Sequence, residues 1–73
     1  VMLSPQIVVY KDVYAALLSA LKTWFESHET ITLAEYRDVM NTSRKYSLAA
    51  LEYFDRNHMT KKEGDFRKPG AEL

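Results

Sequence analysis

The sequence predicts a small α+β domain in which three helices are followed by a β-hairpin. Three observations carry that expectation. Apolar residues recur at helical spacing over three stretches, the second and third stretches are joined by little more than Asn41-Thr42, and a Gly64-Asp65 turn signal divides two short β-type runs near the end.

The 73 residues leave room for one domain and one small core. There is no cysteine, so apolar packing must hold the fold without disulfides or a thiolate zinc site, with eight Tyr and Phe and one Trp as the largest pieces. The same absence suits a cytoplasmic protein. No stretch is long enough to span a bilayer, and Met2-Leu3 lacks the basic flank and apolar run of a signal peptide, so no membrane partner is expected. The opening at Val1 reads as a piece of a longer protein.

Val1 to Gln6 contains Ser4-Pro5 and no periodicity, so 1–6 reads as a lead-in, 7–70 as the domain and 71–73 as a frayed tail. Ile7 to Tyr10 is a β-branched run and a candidate strand. Asp12 then fits a helix N-cap. Val13, Leu17, Leu21, Trp24 and Phe25 form one helical stripe, with the helix ending near Ser27-His28. Glu29 to Ile31 reads as an extended link. Thr32-Leu33-Ala34-Glu35 has the form of a capping box, in which the Thr hydroxyl and the Glu carboxylate each satisfy a free backbone N–H.

The second helix is short, with Leu33, Tyr36, Val39 and Met40 as its apolar face and Asn41 as a left-handed cap. Thr42 or Ser43 caps the third. There Ser47, Ala50, Leu51 and Phe54 share the buried side with Leu48 at its edge, while Lys45, Ala49, Glu52, Tyr53 and Arg56 lie opposite. Met59 to Glu63, the Gly64-Asp65 turn and Phe66 to Lys68 complete a hairpin. Strand, helix, helix, tight turn, helix and hairpin is the winged-helix arrangement, a helix-turn-helix followed by a β-ribbon.

Net charge is zero, which at first disfavours a polyanionic partner. Its distribution is uneven: residues 1–30 carry two bases against three acids, and residues 31–70 carry eight against six, clustered at Arg44-Lys45, Lys61-Lys62 and Arg67-Lys68. Clustered charge is ordinarily a solvated surface. It becomes a binding feature when a fold gathers it on one side.

Nothing points to catalysis. His28 and His58 stand thirty residues apart at helix ends, which suits end-capping better than metal ligation, and neither has an i,i+4 partner. The two glycines lie in the hairpin and the tail, so there is no phosphate-cradling loop. Nucleic-acid binding is better supported. Thr42, Ser43, Arg44, Lys45 and Tyr46 open the third helix, where free N–H groups attract phosphate, the hydroxyls and the guanidinium can bond phosphate or base edges, and Tyr46 can stack on an unpaired base or pack on the second helix. Two cations at a helix N-terminus oppose its dipole by a few tenths of a kcal/mol, which suggests an anionic partner. Lys61, Lys62, Arg67 and Lys68 around the hairpin form a second basic group, and Arg37 can add a contact or pair with Asp38 or Glu35. Trp24, Phe25 and Phe54 read as core.

Ile31 to Asp38, then Asn41 to Tyr46, Leu51 to Arg56, and Thr60-Lys61-Lys62 with Gly64-Asp65, resemble the last winged-helix domain of the bacterial selenocysteine-specific elongation factors of the SelB family. Val9 to Tyr14 is similar to the strand-to-helix entry of that domain, and the resemblance runs over about residues 7–67. It implies an RNA-binding module that recognises an mRNA hairpin, the selenocysteine insertion element. The parent would be a GTPase delivering selenocysteinyl-tRNA to the ribosome, with GTP and Mg in other domains and no cofactor in this one. It also implies that Thr42 to Tyr46 make the RNA contact, supported by Arg37 and the wing bases. Family members often carry Arg where this chain has Lys61 or Lys62; Lys keeps the charge and loses the bidentate fork. Residue chemistry alone leaves two alternatives open: a DNA-binding winged helix of a transcription regulator, and a protein-interaction winged helix.

Overall fold

The computed structural model describes residues 1–73. Its elements are β1 (Met2–Ser4), β2 (Ile7–Val8), α1 (Lys11–Phe25), β3 (Ile31–Thr32), α2 (Leu33–Met40), α3 (Arg44–Arg56), β4 (Thr60–Glu63) and β5 (Phe66–Pro69). This is a winged helix: α2 and α3 form the helix-turn-helix, and β4 and β5 the wing.

The two small sheets were only half expected. β1 and β2 pair as an antiparallel ribbon around Pro5-Gln6, with Met2 opposite Val8. Leu3 from β1 is 1% exposed in the core, so residues 1–6 are part of the domain and not a lead-in. The Arg56 guanidinium ties this ribbon to α3 by donating to the Leu3 carbonyl. A three-residue strand is too short to show an alternation, which is why the sequence hid it. In the second sheet the order is β3-β5-β4, all antiparallel. Ile31 was expected in a link; it pairs with Arg67 and is fully buried.

α1 begins two residues earlier than the Asp12 cap implied. Tyr10 is the N-cap and makes no side-chain cap bond, while Asp12 sits in the first turn and complements the dipole. Leu17 and Leu21 are buried, Trp24 and Phe25 half-buried, and Val13 is exposed, so the apolar stripe covers the core only in its C-terminal part. The Trp24 indole N–H donates to the Thr30 carbonyl at 2.8 Å, and His28 stacks on the indole at 3.8 Å with Nδ1 3.0 Å from the Trp24 carbonyl. This arrangement agrees with end-capping by His28.

The capping box forms: Glu35 N–H donates to Thr32 Oγ1 at 3.2 Å and Thr32 N–H to the Glu35 carboxylate at 2.9 Å. Asn41 takes the left-handed conformation at φ 51°, and its N–H and that of Thr42 close back on the Asp38 and Arg37 carbonyls. Ser43 is the cap of α3, accepting from Tyr46 N–H at 3.3 Å. Each local signal therefore sets one corner of the helix-turn-helix.

The core lies between α1, α2 and α3 and is closed at one end by β1. Tyr36, Phe54, Leu21, Leu51 and Ile31 are fully buried. Tyr36 donates its hydroxyl to the Leu17 carbonyl at 2.8 Å. Burial, and secondarily the nearby Tyr14, pushes its ionisation well above the ordinary tyrosine value. Tyr14 meets Tyr53 edge-on at 5.5 Å, and burial and that neighbour raise its own ionisation. Ala49 and Tyr53 were expected on the polar side of α3. Ala49 is buried and Tyr53 half-buried, the latter under Tyr14. The tail is not frayed: Glu72 N–H bonds the His58 carbonyl and Leu73 packs on the core. Gly70 permits that approach, since a Cβ there would stand 2.3 Å from the His58 carbonyl oxygen.

Candidate nucleic-acid interface

Two helix N-termini and the wing converge on one groove of 510 Å³ lined by Thr32, Leu33, Ala34, Arg37, Arg44, Leu48, Lys62, Gly64, Asp65 and Arg67. It exists because the short Asn41–Ser43 connection turns α3 back beside α2, bringing Arg44 and Leu48 to the same groove as Leu33, Ala34 and Arg37, and because β3 runs straight into α2 while pairing with the wing. Four of the expected basic residues reach it: Arg37, Arg44, Lys62 and Arg67.

These four are not equivalent. Arg44 is exposed at the first position of α3, whose first turn holds no acidic residue to offset it. Arg37 is paired with Asp38 at 3.5 Å on the surface, as one alternative for it anticipated. Lys62 is exposed on the wing. Arg67 departs from expectation. Rather than standing as a surface base of the wing, it is 3% exposed on the central strand of the sheet. Its Nε donates to both Asp55 oxygens, at 3.1 and 3.3 Å, and Thr60 Oγ1 donates to Asp55 Oδ1 at 2.6 Å. Strand pairing explains the burial: Arg67 lies opposite Ile31 on one side and Lys62 on the other, and directly opposed residues share a face, here the one turned to α3.

The pleat separates the remaining wing bases. Lys61 pairs with Lys68, one residue out of step with the Lys62–Arg67 pair, so both lie on the opposite face, where Lys68 bonds Glu63 at 3.4 Å. The wing therefore offers one exposed cation to the groove and not four.

Thr42, Ser43, Arg44, Lys45 and Tyr46 are all exposed along the opening of α3. Ser43 Oγ accepts the cap bond and keeps its own hydroxyl proton to donate. Lys45 points to the other flank of α3, lining a shallower depression with Ser4, Gln6, Ile7 and Glu52. Tyr46 is 49% exposed, with Lys45 Nζ 6.0 Å from its ring centre. Asp55, Asp65 and Thr32 are the site-forming residues that sequence reasoning did not select. Thr32 was visible as a cap, and Asp55 carried no local signal because its partners lie five and twelve positions away.

Fold and site together define a winged-helix domain with a basic groove where its helix-turn-helix meets the wing. Residues 23–68 match the family described as elongation factor SelB, winged helix, and the chain belongs to that family. It is similar to a selenocysteine-specific elongation factor of Desulfomicrobium baculatum, 29% identical over 52 residues that make up 71% of this chain and 8% of that protein. Among solved structures it is similar to the mRNA-binding domain of elongation factor SelB from E. coli in complex with SECIS RNA, with a TM-score of 0.87 at 20% identity over 96% of this chain and 58% of that one. This chain therefore spans a small part of the full-length relative and somewhat more than half of the solved domain.

Proposed function

We propose that this domain binds an mRNA stem-loop, the selenocysteine insertion element, as the RNA-reading module of a selenocysteine-specific elongation factor. The observation that carries the reading is the convergence of Arg37, Arg44, Lys62 and Arg67 on one groove in a chain of this family. The exposed Thr42 to Tyr46 segment beside it supplies hydroxyl, cationic and aromatic groups suited to unpaired bases and to phosphates. Affinity rests on a few phosphate contacts with shape and loop-base readout, in keeping with zero net charge.

In this reading the parent protein acts in the cytoplasm with the ribosome and selenocysteinyl-tRNA, and GTP and Mg²⁺ are held by other domains.

The test is titration of a looped RNA hairpin and of a DNA duplex with the matched stem, at several salt concentrations. Salt-sensitive preference for the hairpin is expected. Preference for the duplex, or no salt-sensitive binding to either, overturns the reading.

A further inference from the structure

We propose that the groove between the openings of α2 and α3 and the wing seats a single RNA backbone phosphate, with Arg67 as its fixed donor and Arg44 and Lys62 as flanking charges. This rests on the RNA-binding reading and names the ligand group of one part of the site.

Arg67 carries the argument. Its protein hydrogen bonds all leave from Nε, toward Asp55. Nη2 is buried without a partner, in a side chain that is 3% exposed and forms part of the groove wall. An unpaired buried donor on a charged group is costly, and the free edge of a guanidinium matches two oxygens of one phosphate. Asp55 and Thr60 hold the other edge, so little side-chain entropy is lost on binding. Asp55 is thus a positioning residue: it orients the donor and does not meet the ligand.

The lining agrees with an anion of this kind. Four cations and one carboxylate, that of Asp65 at the wing turn, line the groove; Arg37 and Arg67 are paired with Asp38 and Asp55, so Arg44 and Lys62 bring its uncompensated charge. Thr32, Leu33 and Ala34, the opening of α2, form a further wall; the Glu35 carboxylate of the capping box already offsets the positive end of that helix, so the charge of the groove comes from its side chains. No aromatic ring lines the groove, and Leu33, Ala34 and Leu48 are its apolar surface. A flipped base would find nothing to stack on there, whereas a phosphodiester needs only the donors. The exposed ring of Tyr46 stands outside this set.

The experiment uses the whole chain and the SECIS hairpin of the solved relative, unmodified and with methylphosphonate placed at one backbone position at a time. Thermal melting first establishes that each variant is folded. Arg67→Lys keeps the charge and loses the fork, so affinity is expected to fall about tenfold with the salt slope nearly kept. Lys62→Gln is expected to reduce the salt slope by about one contact. One methylphosphonate position is expected to weaken wild-type binding about tenfold and to weaken Arg67→Lys little further, because both changes remove the same contact. Wild-type affinity in folded Arg67→Lys, or no phosphate position whose effect depends on the groove residues, overturns the proposal while hairpin binding stands. Should Arg67→Lys fail to fold, Arg44→Gln and Lys62→Gln decide the matter: coupling of both to one phosphate supports the site, and coupling to different ones or to none overturns it. A wild-type chain that binds no hairpin overturns the RNA reading and this inference with it.

Discussion

Replacing Asp55 with alanine removes the single carboxylate that holds the end of α3 to both wing strands. Thr60 would lose its acceptor, and the Arg67 guanidinium, 3% exposed, would be left without an anion. Breaking a buried pair from one side costs about 3–5 kcal/mol, and water reaching the 21% exposed Asp55 side lowers this to about 2–4 kcal/mol. Stability of a 73-residue domain is on the order of 4–11 kcal/mol, so the loss is a large fraction of the whole. At about 4–8 °C per kcal/mol the midpoint should fall by at least about 8 °C. Urea and thermal unfolding followed by circular dichroism measure both quantities. The double variant Asp55→Ala/Arg67→Met, which removes both charges, should be more stable than Asp55→Ala alone, because no unpaired ion remains in the sheet. An Asp55→Ala midpoint within about 0.5 kcal/mol of wild type refutes the assignment of this network as the wing's anchor.

Three further outcomes are expected. Tyr36 has its ionisation raised by burial, so the folded state favours the phenol, and its contribution is fully present below the ordinary tyrosine value near 10 and lost above it. Stability measured against pH should decline above about pH 10 by up to ~1.4 kcal/mol per pH unit from this group, and Tyr36→Phe should flatten that decline; an unchanged alkaline profile contradicts the assignment. Ser43→Ala should cost about 1 kcal/mol in urea unfolding by freeing the Tyr46 N–H at the start of α3, and a neutral result would mean the cap contributes nothing. Arg44→Ala should weaken hairpin binding by about 1–3 kcal/mol with an unchanged melting midpoint, and unchanged affinity would remove Arg44 from the interface.

Local chemistry determined much of the domain from the sequence alone. The Thr32–Glu35 capping box, the left-handed Asn41, the stripe of Ser47, Ala50, Leu51 and Phe54, and the Gly64-Asp65 turn are each written within a few residues, and together they specify the helix-turn-helix and its wing. The exposed Arg44 at the start of α3 was legible for the same reason. Tertiary structure alone decided what depends on distant partners. Met2–Ser4 became a strand because Ile7–Val8 pairs with it, and Ile31 became a buried strand residue because Arg67 lies opposite. The same pairing turned Arg67 inward to Asp55 and sent Lys61 and Lys68 to the other face, since one step along a strand reverses a side chain. Sequence thus located the basic residues, and the register of the sheet chose which of them share a groove.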